Sequence, residues 1–298
     1  MSRLRDNINE GPSGLRRQLS EGIVVAPGVY SGISAIIAER SGFKSAYISG
    51  SGVAGMMGLP DLGMTTLTEV AEETSKITGI TKMPIIVDCD TGFGETINVT
   101  RTVRVMEGSG AAGIHLEDQV MPKKCGHLNG KETVPVEEME KKIGAAVSAR
   151  KNKDFLIIAR TDSRATGGFD EAVERSIAYL NAGADCIFTE ALETEDEFRE
   201  MRKKVSGYLM ANMTEFGKTP LMSVEELEKI GYNMVIFPLT AFRGILKKTE
   251  EIYEKLYRAG TQRDFINEIM SRKRFYEIIG YSQYEEEDSD LSKRRTLL

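Results

Sequence analysis

The sequence predicts an α/β fold, a closed (β/α)₈ barrel of the TIM type, and three observations support this prediction. Short apolar runs alternate with longer amphipathic segments through the middle of the chain. The apolar runs are almost continuously hydrophobic, which is typical of strands in a parallel sheet that helices cover. Eight such runs can be counted in 298 residues. Eight strand–helix repeats in a chain of this length favour a single barrel.

The strand candidates are short apolar runs that end at polar or turn-forming residues. In chain order they are Ile23–Ala26, Ala46–Ser49, Ile85–Asp90, Gly113–Glu117, Leu156–Thr161, Cys186–Glu190, Tyr208–Asn212 and Met234–Pro238. Helices are predicted between them where apolar residues recur with helical spacing and a capping residue precedes them. The clearest are Thr66–Thr78, Val136–Arg150, Asp170–Asn181, Glu195–Lys203, Val224–Ile230 and Ala241–Arg258.

We expect one domain over residues 1–298, with a helical lead-in at 1–22 and a helical extension and tail at 260–298. An open, doubly wound sheet is the competing architecture. It needs a glycine-rich phosphate turn after an early strand, and Ser49–Gly52 matches that pattern only in part. The barrel is therefore the favoured fold.

Charge and cysteine content restrict the class of partner. A net charge of −6, with only short basic clusters, argues against nucleic acid. The three cysteines, Cys89, Cys125 and Cys186, are odd in number and widely spaced, which favours a reducing cytoplasm over a disulfide framework. The first residues lack the apolar core of a secretory signal, and no run reaches membrane-spanning length. We expect a cytoplasmic protein that acts on a small molecule.

Polar side chains follow the strand candidates at the carboxyl ends, where barrels build active sites. Loop exposure alone could produce such residues, but acids and an arginine are not the usual residues of turns. They recur on at least five strands, so we interpret the ring as a site. Its members are Ser49–Gly52, Asp88, Asp90, Glu117, Asp118, Arg160–Asp162, Glu190, Asn212 and Thr214.

Asp88 and Asp90 are the candidate metal ligands. They are two residues apart on a predicted strand, so both should face the barrel lumen while Cys89 points outward to the helices. Carboxylate oxygens without a thiolate or histidine between them suit Mg²⁺ or Mn²⁺. Glu117, on the next strand, could join them directly or through water. Arg160 would clamp a substrate carboxylate, or pair with the acids in a structural ion network.

Two further strand residues should face the same mouth. His115 is two residues before Glu117 and either bonds the metal shell or is a satisfied core histidine. Tyr47 is two residues before Ser49, which directs its hydroxyl to the mouth. Cys186 begins a strand and is expected to pack in the core.

Cys125 lies in the segment PKKCGHLNGK, Pro122–Lys131, after the fourth strand candidate. Lys123, Lys124 and His127 flank the thiol, and we expect these donors to lower its pKa. Two glycines give the segment backbone freedom, so it should form a mobile loop. On the residues alone, the thiol could serve as a nucleophile, a redox sensor or a metal ligand.

Eight motifs in order resemble a known superfamily. YISGSG…GLPDLG, VDCDTGFG, HLEDQ, KKCGH, ARTD, TEA, NMTEFG and PLTAFR extend from Tyr47 to Arg243. Together they resemble the isocitrate lyase and phosphoenolpyruvate mutase superfamily. The likeness continues through the C-terminal residues and is greatest to the branch that cleaves 2-methylisocitrate.

That resemblance implies a (β/α)₈ barrel whose last helices are exchanged between subunits, in a homotetramer that is a dimer of dimers. It also implies Mg²⁺ and cleavage of 2-methylisocitrate to pyruvate and succinate during propionate breakdown. Cys125 would be the general acid–base thiol on a closing lid. The other catalytic positions would be Tyr47, Lys123, His127 and Glu117. Substrate would be bound by Ser49, Gly50, Ser51, Gly126, Arg160, Glu190, Asn212, Thr214 and Arg243, and the metal by Asp88, Asp90 and Asp61.

Other activities remain open at this point. Phe188, Ile236 and Pro238 resemble the methyl pocket of the methylisocitrate enzymes, whereas Ser51 and Leu128 depart from many relatives. Lyases for isocitrate or 2,3-dimethylmalate share a similar thiol loop, and one methylene changes affinity by only about 1–3 kcal/mol. A phosphonate- or oxaloacetate-processing enzyme is the more distant alternative, since such relatives generally lack KKCGH. A non-catalytic barrel that senses oxidants through its thiol is the alternative from another class.

Overall fold

The structure, a computed structural model, describes residues 9–128 and 130–295. Parts of the predicted lead-in (1–8) and tail (296–298), and Asn129 of the thiol loop, lie outside the described residues. Helix α1, Gly11–Glu21, lies within the predicted lead-in.

Eight parallel strands agree with the eight predicted runs to within two residues at each end. They are β1 Val24–Pro27, β2 Ala46–Ile48, β3 Ile85–Asp88, β4 Gly113–Glu117, β5 Leu156–Thr161, β6 Cys186–Thr189, β7 Tyr208–Asn212 and β8 Met234–Phe237. The predicted ends at Ser49, Asp90, Glu190 and Pro238 were too long by one or two residues. At each of them the chain turns towards a helix or loop and leaves the ladder.

The helices follow the strands around the outside. After α1 they are α2 Gly32–Arg40, α3 Gly50–Met56, α4 Leu67–Thr78, α5 Thr96–Gly108, α6 Val136–Ala149, α7 Phe169–Asn181, α8 Glu195–Lys204, α9 Val224–Ile230, α10 Thr240–Ala259, α11 Arg272–Ile279 and α12 Tyr281–Arg295. All six predicted helices are confirmed, and Thr66 and Ser223 cap two of them through capping boxes. Helices α2, α3 and α5 were not predicted. Glycine and β-branched residues, which are weak helix formers, are frequent in them.

The strands form a barrel, so the alternative of an open doubly wound sheet is wrong. Neighbouring strands are consecutive in the chain from β2 to β8, and β8 pairs with β1. A bridge between Gly28 and Tyr47 closes the last gap. Gly28 is required there because a Cβ would lie 1.8 Å from the carbonyl oxygen of Pro238.

Alternation along the strands divides the core into two layers. Side chains such as Tyr47, Ile86 and Phe188 fill the barrel lumen. Ile85, Val87 and other residues of opposite parity pack against the helices. Cys89 belongs to this outer layer, as predicted. The lumen below the carboxyl ends of the strands is therefore filled, and the site above it has a rigid floor.

The C-terminal helices leave much apolar surface uncovered in the single chain. Only Phe242 is buried among the 20 residues of α10. Helix α11 touches the barrel through Arg40, which donates hydrogen bonds to the carbonyls of Glu277 and Ile278. Within the described residues, no helix combines the length and apolar character that a membrane span requires. The exposed apolar side chains of this region are Ile245, Leu246, Tyr253, Leu256, Tyr257, Ile266, Ile269, Met270, Phe275, Tyr276, Tyr281, Tyr284 and Leu291.

Candidate active site

Asp88 and Asp90, the acids predicted at the end of β3, lie together at the mouth of the barrel, but the predicted strand alternation is not the reason. Strand β3 ends at Asp88, and Asp90 lies in a turn with φ of +46°. Its N–H donates to Asp88 Oδ1 at 3.0 Å. The turn, not strand alternation, therefore brings the two carboxylates together.

Helix α3 begins at the mouth, where Ser49–Gly52 was predicted as the end of a strand. Gly50 N–H donates to Asp88 Oδ2 at 2.9 Å. A Cβ on Gly50 would lie 3.0 Å from that oxygen and 3.2 Å from Asp90 Oδ1. Glycine thus lets the start of α3 approach both carboxylates. Ser49 is buried beside it and Ser51 is half-buried.

Glu117 is a buried carboxylate without a hydrogen-bond donor. Neither oxygen accepts a hydrogen bond from any described residue, and the nearest cation is Arg160 Nη1 at 3.3 Å. Burial raises the pKa of Glu117 well above its usual range. Ligand atoms of Glu117, Asp88 and His115 lie within 4.8 Å of one another. Unpartnered carboxylate oxygens in such a cluster fit a hard divalent cation.

The two aspartates differ in their affinity for a proton. Burial opposes ionisation of Asp88, but His115, Lys123 and Arg160 together hold its pKa below the usual range. Burial and then the charge of Asp88 raise the pKa of Asp90 to about 6. Lys123 lies 2.6 Å from Asp90 Oδ1 and also pairs with Asp61. Asp61 therefore reaches the acids through this lysine.

His115 and Tyr47 form a buried pair beside Asp88. The Tyr47 hydroxyl lies 2.8 Å from His115 Nε2, which is 3.4 Å from Asp88 Oδ1. Burial lowers the pKa of His115 to about 4, so its ring is neutral near pH 7. Burial, followed by the charge of Asp88, raises the pKa of Tyr47 well above its usual range. Both groups are therefore neutral and can share a proton.

The thiol loop approaches this cluster, but the prediction that its donors lower the pKa of Cys125 is wrong. Burial raises that pKa, and a hydrogen bond from the backbone of His127 offsets it only in part. The flanking side chains turn elsewhere: Lys123 to Asp61 and Asp90, and Lys124 to a loop carbonyl. The thiol therefore keeps its proton at neutral pH.

Glu190 joins the loop to the strands. Its Oε1 lies 2.8 Å from His127 Nε2, its Oε2 lies 3.6 Å from Arg160 Nη1, and Asn212 donates to both oxygens at 3.2–3.3 Å. Burial opposes ionisation, but Arg160 and His127 lower the pKa of Glu190 to about 2. His127 Nδ1 accepts a hydrogen bond from the backbone N–H of Lys218, so Nε2 carries a proton and faces Glu190.

Gly126 packs directly on this group. A Cβ there would lie 2.3 Å from Cγ of Glu190 and 2.7 Å from Nη2 of Arg160. The loop is therefore closed against the strands. Thr214 and Arg243 lie at the rim, where Arg243 pairs with Glu215 at 2.7 Å and approaches the Thr214 hydroxyl at 3.4 Å.

Three buried charged residues lie behind the site: sequence reasoning missed Lys131, and it placed Asp118 and Asp162 in the polar ring without giving them a role. Asp118, Lys131 and Asp162 connect β4, the thiol loop and β5 through hydrogen bonds. Their signal was present, since HLED and ARTD both end in an acid and the loop motif ends in a lysine. Nothing in the sequence showed which of the neighbouring acids faces the substrate and which faces away.

Comparisons with known proteins agree with this geometry. A family model described as phosphoenolpyruvate phosphomutase matches residues 15–257. The 2-methylisocitrate lyase of Aeropyrum pernix is 52% identical over 287 residues, covering 96% of this chain and 92% of that protein. The 2,3-dimethylmalate lyase of Eubacterium barkeri is 42% identical over 274 residues, covering 92% and 95%. A crystal structure of 2,3-dimethylmalate lyase, a PEP mutase/isocitrate lyase superfamily member, superimposes with a TM-score of 0.89 at 36% identity, covering 95% and 96%.

Proposed function

Because the chain belongs to the phosphoenolpyruvate mutase/isocitrate lyase superfamily, we propose that it cleaves 2-methylisocitrate into pyruvate and succinate. It is a carbon–carbon lyase, similar over most of its length to 2-methylisocitrate lyases. The observation that carries the proposal is the thiol loop closed over a buried carboxylate cluster, with Gly126 against Arg160 and Glu190. The reaction would serve propionate breakdown through the methylcitrate cycle.

A divalent cation is the proposed cofactor, with Asp88, Asp90 and Glu117 holding it and Asp61 supporting them through Lys123. The oxygen-rich ligand set favours Mg²⁺, and Mn²⁺ suits the same ligands. Such an ion, when bound, lowers the pKa of a coordinated hydroxyl and stabilises negative charge on a carboxylate or carbonyl oxygen.

The chain's own groups would bind the substrate and move its protons. We assign the carboxylate of the future pyruvate to Ser49, Gly50 and Ser51, at the start of α3. Tyr47 would take the hydroxyl proton and at the same time pass its own proton to Nε2 of its hydrogen-bond partner His115, whose ring is neutral. The substrate's remaining carboxylates would bind Arg160, Asn212, Thr214 and Arg243, and Glu190 would line the same pocket and orient Arg160 and Asn212.

Cys125 would protonate the departing succinate carbon. Cleavage leaves the bonding electron pair on that carbon, so an acid must be close and still protonated. Burial raises the pKa of the thiol, which keeps the proton available at neutral pH. Lys123, Gly126 and His127 hold the loop in place around it, and the closed loop excludes water that would compete for the carbanion.

The second candidate substrate is 2,3-dimethylmalate. The match to the 2,3-dimethylmalate lyase relative covers 92% of the chain, against 96% for the Aeropyrum pernix enzyme, and the crystal structure of such an enzyme matches the fold closely. The greater identity to the Aeropyrum pernix 2-methylisocitrate lyase favours the tricarboxylate substrate.

Product release from three substrates tests the proposal. With Mg²⁺, we expect pyruvate and succinate from 2-methylisocitrate at a kcat/KM at least about tenfold above that for isocitrate or 2,3-dimethylmalate. EDTA should abolish turnover, and added Mg²⁺ should restore it. Glyoxylate from isocitrate as the main product, or faster cleavage of 2,3-dimethylmalate, would overturn the substrate assignment. Full activity in EDTA would overturn the cofactor.

We also propose a homotetramer in the cytoplasm, with the C-terminal helices exchanged between subunits. The uncovered apolar face of α10 and α11 supports assembly. Three free cysteines support a reducing compartment.

A further inference from the structure

Lys131 ends the thiol loop with a buried ammonium group. Its side chain is 1% exposed, and Nζ lies 2.7 Å from Asp162 Oδ1. The same nitrogen donates to the backbone carbonyl of Gly126, the residue that packs on Arg160 and Glu190. The Lys131 ammonium group therefore connects two parts of the loop to each other and also holds the loop against the barrel.

Asp162 is held in place on the barrel and accepts a hydrogen bond from this ammonium group. Its carboxylate accepts Arg160 Nε at 2.9 Å and Arg160 Nη2 at 3.1 Å, and its N–H donates to Asp118 Oδ1 at 2.9 Å. All of these atoms are buried at the carboxyl end of β5. If the loop lifted, Asp162 would keep Arg160 but lose Lys131. The closed loop thus gains a charge-assisted bond that the open loop lacks.

We propose that Lys131 and Asp162 are positioning residues whose buried ion pair latches the thiol loop in the closed state that presents Cys125 to the substrate. The inference rests on the proposed lyase function for its catalytic consequence. Neither residue needs to touch the substrate. Lys131 acts through Gly126 and the loop, and Asp162 also orients the Arg160 guanidinium.

Lys131→Met tests the latch, and Lys124→Met is the matched control. Both lysines belong to the loop and donate to a loop carbonyl, but among the described residues the Lys124 side chain makes no hydrogen bond or ion pair with the barrel strands. In Lys131→Met, we expect kcat to fall roughly 10- to 100-fold, since a loosened loop misplaces the reacting thiol. Lys124→Met should stay within about threefold of the parent, because the Lys124 ammonium group contacts only the carbonyl of Gly130 within the loop.

Alkylation of the thiols by iodoacetamide separates a latch from a general loss of structure. Without substrate, Cys125 of Lys131→Met should react several-fold faster than in the parent, while buried Cys89 and Cys186 stay protected. If all three thiols react in Lys131→Met, that variant has lost its structure more generally. Asp162→Asn, which keeps the side-chain shape, then replaces Lys131→Met in the test, and only its Cys125 should react faster than in the parent. Parent-like turnover and Cys125 protection in the variant that folds would overturn the latch. If the parent cleaves no substrate, the proposed function fails, but the alkylation contrast still decides the latch.

Discussion

Cys125 shows how partial burial can reverse the pKa shift that neighbouring residues suggest. Lysine and histidine beside a thiol normally favour the thiolate. Here burial raises the pKa of Cys125. The flanking side chains do not offset this effect, because they contact carboxylates and carbonyls elsewhere. A proton donor benefits from a raised pKa, whereas a nucleophile or a peroxide sensor would need the thiolate.

The raised pKa predicts the pH dependence of Cys125 alkylation. Only the thiolate reacts, and it appears as pH rises through the thiol pKa. The midpoint in the folded protein should therefore lie above the roughly 8.5 of a free cysteine. Mass spectrometry of protein treated with iodoacetamide at about pH 6–10, a range that brackets the reference value of roughly 8.5, measures this midpoint. Cys125→Ser is the control and should lose both this adduct and turnover. A midpoint below that of free cysteine would restore the interpretation of an activated thiolate.

At the level of elements, the carboxyl ends of β4 and β5 are held together by Asp118. One oxygen accepts the Asp162 N–H at 2.9 Å, and the other accepts the hydroxyls of Thr161 and Tyr179 at 2.7 and 2.8 Å. Arg175 Nη1 adds a fourth donor at 3.3 Å. These contacts face away from the mouth, so Asp118 fixes the strand ends that present Glu117 and Arg160.

Asp118→Asn should therefore lower stability more than loss of a single donor does. In the variant, an NH₂ donor takes the place of one acceptor oxygen and faces donors that have lost their acceptor. We expect the free energy of unfolding to fall by about 2–3 kcal/mol. Tyr179→Phe removes one donor and should cost about 1 kcal/mol. Urea denaturation followed by circular dichroism compares the two. Equal losses would show that Asp118 does not organise the junction.

Elements with strong local patterns were predictable from the sequence, and those whose role depends on tertiary contacts were not. The bodies of the eight strands are mainly apolar, and α4 and α9 carry capping boxes. Helix α3 reads as a glycine-rich turn, because its helical state depends on packing near Asp88. The ring of strand-end acids was predictable, but the partners of Lys123 and Lys131 were not, since a long flexible side chain can reach several carboxylates.

At the scale of the whole molecule, the C-terminal helices expose aromatic side chains that support the proposed assembly. Tyr253 and Tyr257 are 68% and 92% exposed on one side of α10, and Phe275 is 42% exposed on α11. Residues four apart lie on the same helix face, so the two tyrosines form an aromatic stripe along α10, and Phe275 adds an exposed ring on α11. Soluble monomers rarely expose such an area, whereas obligate interfaces between subunits are large and apolar.

Charges placed on these exposed aromatic positions of α10 and α11 should dissociate the proposed assembly without unfolding the barrel. The double variant Tyr257→Asp with Phe275→Asp puts two carboxylates where we infer that a second subunit packs, and burying unpaired charges there is costly. Light scattering should report a tetramer for the parent and a smaller species for the variant, while circular dichroism stays unchanged because both side chains are exposed in the single chain. Lys141→Asp, on the exposed side of α6 and remote in sequence from the C-terminal helices, is the control and should keep the parent mass. A monomeric parent, or a variant of parent mass, would contradict assembly through α10 and α11.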